Sequence, residues 1–141
     1  MIGRRRADPS VLMGVAPFDR YRRRALEPLA AHADRLRVPT GTVVAREGHL
    51  VRELVIVLSG ALLATRDKQP VGAFGPGTAV GGAELLTGAV HQATLVAGPG
   101  LEVLVLAGPA FRYAAQTLPG LPGYMLGTVT ESPGPLRGAA A

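Results

Sequence analysis

The stretch from Val80 to Thr94 carries the residue types best suited to binding a small anion. Three glycines lie within it, and the run from Ala83 to Leu86 suits a single helical turn. Backbone amides beside glycines can hold an anion, and His91 can take up a positive charge near neutral pH. We therefore interpret this stretch as a binding element that can hold a small anion, although weakly, even without an arginine.

Two ionisable side chains of this stretch suggest a proton-sensitive pair. Glu84 and His91 could lie together, with the imidazole protonated near neutral pH and the pair closing the binding element. The alternative is that His91 begins a solvent-exposed strand and that Glu84 is a solvated helix residue. The sequence leaves both interpretations open.

Other residue patterns argue against an enzyme. The chain has no cysteine, which excludes disulfides, thiolate catalysis and cysteine-ligated metals. The histidines His32, His49 and His91 are far apart in sequence, so a cupin-like metal site, the natural enzymatic alternative for a small β-barrel, has little support. Ser59 lies in a turn without a nucleophile-elbow pattern. We predict a non-enzymatic protein with no metal site.

The bulk composition describes one globular domain with a basic surface. The chain has 141 residues, 48% of them hydrophobic, and a net charge of +5. No apolar run is long enough to cross a membrane, so we expect a soluble, cytoplasmic protein. The basic excess could contact nucleic acid or an acidic protein surface, but we favour a solvated helix face. It is concentrated in seven arginines: Arg4, Arg5, Arg6, Arg20, Arg22, Arg23 and Arg24.

The periodicity of the chain predicts mainly β structure with helices near its ends. Residues 1–17 are expected to form a flexible basic arm, followed by an amphipathic helix over Asp19–Leu36 that Pro28 bends or splits. Short β-prone runs separated by turns then indicate a small antiparallel barrel. The expected strands cover residues 36–38, 42–45, 54–58, 61–65, 71–74, 92–97 and 101–106. A helix starts at Pro109, and residues 119–141 form a Pro/Gly-rich tail.

Three runs, in this order and spacing, resemble the cyclic nucleotide-binding domain family of catabolite-activator-like regulators and kinase regulatory subunits. They are VPTGTVVAREG from Val38 to Gly48, ELVIVLSGALLA from Glu53 to Ala64, and FGPGTAVGGAELLTGAVHQAT from Phe74 to Thr94. The resemblance covers about residues 18–118. It implies an antiparallel jelly-roll β-barrel with an N-terminal helical segment, a short helix in a phosphate-binding cassette, and one C-terminal helix.

The resemblance places the family's phosphate-binding cassette on residues 80–94. In the family, a glutamate of the cassette accepts a hydrogen bond from the ribose hydroxyl, and an arginine supplies the countercharge to the phosphate. The gapless match puts Gly82 at the glutamate and His91 at the arginine, while Glu84 falls where the family has a small residue. The candidate ligand-binding residues are Val80, Gly81, Gly82, Ala83, Glu84, Leu85, His91, Gln92, Ala93 and Thr94.

The altered cassette leads to three functional hypotheses. The first is a degenerate cyclic nucleotide-binding-like domain that regulates or contacts another protein and does not bind cyclic AMP or cyclic GMP tightly. The second is a genuine sensor of a cyclic nucleotide, or of another small anion, through cassette amides and His91. The third is nucleic-acid contact through the N-terminal arginines. The candidate small-molecule ligand is a cyclic nucleotide or another small anion, and we expect no cofactor.

The C-terminal part of the chain suggests a surface for a protein partner and indicates whether a helix could cover a bound ligand. A homodimer or protein contact could use the helix that starts at Pro109, through Phe111, Tyr113 and Leu118. We expect Pro119 and Pro122 to cut short any helix that would cover a ligand.

Overall fold

A computed structural model describes residues 4–127 of the chain, with side chains from Ala7 to Leu126. The helices are α1 (Pro9–Met13), α2 (Arg23–Ala31), α3 (Gly82–Thr87), α4 (Gly108–Thr117) and α5 (Leu121–Gly127), and a 3-10 turn covers Phe18–Arg20. The strands are β1 (Arg4–Arg6), β2 (Ala33–Arg37), β3 (Val43–Ala45), β4 (Glu53–Ser59), β5 (Leu62–Arg66), β6 (Gln69–Phe74), β7 (Ala79–Val80), β8 (Thr94–Ala97) and β9 (Glu102–Ala107).

Two antiparallel sheets form the body of the protein. One has the strand order β1-β2-β9-β4-β7 and the other the order β3-β8-β5-β6. The mainly antiparallel β class is therefore confirmed. The expected closed barrel is wrong for the described residues, because no ladder joins the two sheets. The edge strands β7 and β3 have only two and three residues, which leaves little backbone for such a ladder.

Strand β4 buries both of its faces, which explains its continuous apolar sequence. Its side chains alternate between opposite faces of the sheet. Leu54 and Ile56 pack with the helices, whereas Val55 and Val57 pack against the second sheet. The protein thus has one core between the sheets and another between the first sheet and the helices.

The amphipathic helix is shorter than the sequence predicts. Helix α2 has Arg22 as its N-cap residue, continues through Pro28, and ends before His32. Residues 33–37 are a strand because they pair along their whole length with β9. A bidentate contact reinforces this pairing, since Arg35 donates from Nε to Glu102 at 2.8 Å and from Nη2 at 3.2 Å.

The N-terminal segment packs onto the domain where the sequence predicts a flexible arm. Strand β1 pairs with β2, and Asp8 caps helix α1 by accepting a hydrogen bond from the amide of Ser10 at 2.9 Å. Leu12 and Val15 are 2% and 3% exposed and belong to the core on the helix side. The apolar residues of this segment therefore supply part of that core.

The first part of the expected tail is a helix. In α5, Leu121 is fully buried and Met125 is 4% exposed. The N-terminal part of the chain contacts this helix and the loop before it. The Tyr21 hydroxyl donates a hydrogen bond to the carbonyl oxygen of Pro119 at 2.6 Å. The Arg20 guanidinium lies 4.2 Å from the centre of the Tyr124 ring, a cation–π distance. The remainder of the expected tail, residues 128–141, lies outside the described residues.

Replacing Leu12 by alanine tests whether the N-terminal segment belongs to the core. We expect L12A to lower the free energy of unfolding by about 2–5 kcal/mol, because it leaves a cavity at a buried site. The neighbouring M13A is the matched control, since Met13 is 40% exposed and its loss should cost less than about 1 kcal/mol. Urea unfolding measures both, and equal effects would mean that the segment is not packed.

Candidate functional site

The cassette begins with a glycine that approaches strand β4. Gly81 has φ +101°, and a Cβ atom added to it would lie 2.8 Å from the carbonyl oxygen of Glu53. A side chain at Gly81 would therefore meet both backbone strain and a backbone clash. This close approach fixes the start of helix α3 against the start of β4.

The next residue, Gly82, makes room for a side chain of helix α5. A Cβ atom on Gly82 would lie 2.7 Å from Cε and 3.1 Å from Sδ of Met125. Real Cβ atoms do not approach other atoms this closely, so any side chain at residue 82 must displace Met125. The position that the resemblance assigns to the glutamate thus faces the C-terminal helix at close range.

Five further cassette residues are used by the fold itself. Val80 pairs with Val55 in the sheet, while Leu85 and Ala93 lie in the two cores. The carbonyl oxygens of Ala83 and Glu84 accept hydrogen bonds within the cassette, from the hydroxyl of Thr87 and the amide of Gly88. One carboxylate oxygen of Glu84, Oε1, is buried, so Glu84 is not the fully solvated helix residue of the second interpretation.

The last cassette residues are tied to neighbouring loops. The carbonyl oxygen of Gln92 accepts a hydrogen bond from Nε of Arg66 at 2.9 Å. The hydroxyl oxygen of Thr94 accepts from the amide of Glu47 at 3.1 Å, and Glu47 in turn accepts from the amide of Asp67. These contacts set the position of His91.

A pocket of about 280 Å³ lies beside His91, and we call it the basic pocket. Its ionisable wall consists of Arg46, His49, Arg52, Glu53 and His91. The apolar remainder consists of Val43, Val44, Ala45 and Leu50. Partial burial raises the pKa of the Glu53 carboxyl. The pocket therefore has four basic side chains and one acidic side chain.

The backbone holds His49 and His91 next to each other. The amide of His91 donates to the carbonyl of His49 at 2.9 Å, and the amide of Gly48 donates to the carbonyl of His91 at 2.8 Å. Burial lowers the pKa of the half-buried His91, and the neighbouring His49 lowers it further. This direction is opposite to the protonated imidazole that the proposed pair with Glu84 requires.

The structure brings together some of the predicted site residues and adds others. Of the ten candidates, His91 lines the basic pocket, whereas the other nine are not part of its wall. Sequence reasoning missed Arg46, His49, Arg52 and Met125. For the first three, the signal was available as three basic residues at intervals of three between residues 46 and 52, but their distance from His91 in sequence concealed the contact.

Other sequence hypotheses can be placed on the structure. The Ser59 hydroxyl donates to the carbonyl of Gly100 at 3.0 Å, in keeping with a turn residue. The sequence predicted that Phe111, Tyr113 and Leu118 could contact a partner. Phe111 and Leu118 are buried, and only Tyr113 of these three is exposed, at 61%. Arg23 forms an ion pair with Asp8 at 3.2 Å.

Residues 4–127 contain neither a metal-binding group nor a membrane-spanning helix. No group of three or more histidine, aspartate, glutamate or cysteine side chains could hold a metal ion there. Among the same residues, no helix is long and apolar enough to cross a membrane.

Comparison with known proteins identifies similar sequences and folds. The family model of the cyclic nucleotide-binding domain matches residues 35–117. A cyclic nucleotide-binding-like protein from Brucella abortus is 25% identical, with a TM-score of 0.65 over 77% of this chain and 97% of that one. A cyclic nucleotide-binding domain from Methylobacillus flagellatus is 17% identical, with a TM-score of 0.71 over 89% of this chain and 77% of that one.

A further similar structure is the regulatory domain of Toxoplasma gondii PKA, crystallised with cAMP. It is 19% identical, with a TM-score of 0.70 over 82% of this chain. The present chain spans 46% of the length of that one. No curated protein matches the chain.

Replacing Gly82 tests its contact with Met125. We expect G82A to lower the free energy of unfolding by at most about 1 kcal/mol, because the new methyl group meets the end of the flexible Met125 side chain, which can move aside. M125A alone should also be destabilising because it leaves a cavity. In the double variant the two costs should partly cancel, which a double-mutant cycle by urea unfolding measures.

The control for this cycle is G75A, because a Cβ atom on Gly75 would meet nothing within 4 Å. G75A should combine additively with M125A. If the Gly82 and Met125 substitutions are also additive, then α5 is not packed against this glycine.

The lowered pKa of His91 predicts a pH dependence of stability. The unfolded chain binds a proton at His91 more readily than the folded one, so stability should fall as pH drops below the ordinary value of about 6.5. We expect H91Q to remove this part of the dependence, and H32Q to retain it. Thermal unfolding between pH 8 and pH 5.5 makes the comparison, and identical slopes for H91Q and wild type would contradict the assignment.

Proposed function

Because the chain belongs to the cyclic nucleotide-binding domain family, we propose that it is a regulatory domain whose cassette does not hold cyclic AMP or cyclic GMP tightly. Domains of this family are regulatory rather than catalytic, which is in keeping with a non-enzymatic protein. The observation that carries the proposal is the contact between Gly82 and Met125. It stands at the position where the family's cassette has the glutamate that accepts from the ribose.

The glycine that stands at the position of the family's ribose acceptor packs against Met125. A glutamate at residue 82 could not be introduced without moving Met125, whose terminal methyl group lies 2.7 Å from the Cβ position. Met125 is buried, and Leu121 of the same helix is fully buried. A glutamate at residue 82 would therefore require the end of the Met125 side chain to move.

The second loss concerns the positive charge. His91 stands where the family has an arginine, and its lowered pKa favours the neutral imidazole at neutral pH. A hydrogen bond to a charged group is worth about 1.5–3 kcal/mol net. The loss of two such bonds would weaken binding by about 3–6 kcal/mol, or about two to four orders of magnitude.

A specific observation also favours a second candidate function, sensing of a small anion. Two arginines, Arg46 and Arg52, line the basic pocket together with His91. They bring positive charge that a neutral His91 does not supply. The volume of about 280 Å³ lies near the lower limit of the ~300–1,000 Å³ typical of pockets for drug-sized ligands, which favours a small one.

Isothermal titration calorimetry with cyclic AMP and cyclic GMP tests the main proposal. We expect no measurable heat of binding up to about millimolar nucleotide. A dissociation constant above about 1 mM corresponds to a binding free energy weaker than about 4 kcal/mol. The triple variant G82E/H91R/M125A should gain binding, because it restores both charged groups and removes the obstructing side chain. Circular dichroism checks that the variant is folded. Stoichiometric micromolar binding to the wild type would overturn the proposal.

A further inference from the structure

The basic pocket concentrates positive charge at one place on the surface. Its wall includes Arg46, His49, Arg52 and His91, opposed by Glu53. Neither Arg46 nor Arg52 forms an ion pair with a carboxylate among residues 4–127. A wall that carries two arginines and two histidines against a single glutamate favours a negatively charged ligand.

The positions of the two imidazoles are set by the backbone. The loop that carries His49 is joined to the loop that carries His91 by the two hydrogen bonds described above, and by the amide of Val51 donating to Ala89 at 3.1 Å. Leu50 and Val90 form an antiparallel bridge between the same loops. The histidines therefore remain neighbours whether or not a ligand is bound.

The free pocket favours a neutral His91. Burial disfavours the charged imidazole, and the neighbouring His49 disfavours it further. Arg46 and Arg52 line the same pocket. Glu53 is the opposing group, and partial burial raises its pKa. Arg66, which binds the carbonyl of Gln92, adds a further positive charge next to His91 in sequence. A bound anion would reverse this balance, because its charge favours the protonated imidazole.

We propose that the basic pocket binds a small tetrahedral dianion of the sulfate or phosphate class and that binding takes up a proton at His91. This inference rests on the proposed function, because it assumes that the cassette does not hold a cyclic nucleotide. It adds the ligand class and the coupling of ligand binding to pH. The pocket is then a joint sensor of anion concentration and pH, a property that a site built on arginine alone would lack.

Sulfate is the probe of choice, because it stays doubly charged from pH 5 to pH 8 and any proton uptake belongs to the protein. NMR follows the imidazole resonances of His91 during pH titration with and without sulfate, at ionic strength held constant with chloride. We expect sulfate to raise the pKa of His91. Sulfate affinity should weaken by up to about tenfold per pH unit between the pKa of His91 in the free protein and its higher pKa in the complex, the limit for one linked proton.

Four variants make the test specific. H91R should keep sulfate binding but lose its pH dependence, since the guanidinium stays charged. R46Q, at an exposed side chain, should weaken binding without affecting folding, and E53Q should strengthen it. H32Q is the matched control, because His32 lies after helix α2 and lines a different pocket, and it should leave sulfate binding unchanged.

Phenyl phosphate distinguishes a free anion from a phosphate carried on an organic group. Tighter binding than sulfate at the same pH would indicate that the apolar wall around Leu50 contacts an organic substituent. Equal binding would indicate a free anion. Both outcomes support a site for a tetrahedral dianion, because sulfate and phenyl phosphate each carry one.

The inference is overturned if sulfate leaves the pKa of His91 unchanged, or if it shifts His32 equally. This failure is distinct from that of the proposed function. Tight binding of cyclic AMP to the wild type would overturn the proposed function, whereas the sulfate titration reports on the basic pocket alone.

Discussion

Burial of both faces of strand β4 is the constraint on which the rest of the structure depends. Leu54 and Ile56 commit one face to the helices, and Val55 and Val57 commit the other to the second sheet. A strand used in this way cannot shift its register by one residue without exchanging the two sets. Since the carbonyl of Glu53, at the start of β4, receives the close approach of Gly81, the cassette is placed by the same constraint.

The altered cassette and the C-terminal helix are two aspects of one packing arrangement. Gly82 has no side chain, and Met125 occupies the space that one would need. The aromatic contact between Tyr21 and Tyr124, with Arg20 against the same ring, holds α5 from its other side. The position that the resemblance assigns to the family's glutamate is thus the position against which Met125 of helix α5 packs.

The sequence predicts the part of the fold that rests on local pattern. Alternating apolar residues and turn glycines located most strands, and the spacing of three motifs located the cassette and helix α3. Helix α5 could not be found in this way, because Pro119 and Pro122 read as helix terminators. Pro122 is in fact the second residue of α5, where the missing amide hydrogen has no helical partner to lose. The first part of strand β2, residues 33–35, was predicted as helix, because its pairing with β9 joins residues distant in sequence.

Contacts between residues distant in sequence also limited what could be predicted of the site. His91 was predicted from the local motif, whereas His49 and Arg52 line the same pocket because the backbone pairs two loops about forty residues apart. The resemblance places this histidine at the family's arginine, which along the chain amounts to the expected loss of a charge. In the structure, His91 shares its pocket with Arg46 and Arg52 of the facing loop, and burial together with the neighbouring His49 lowers the pKa of its imidazole.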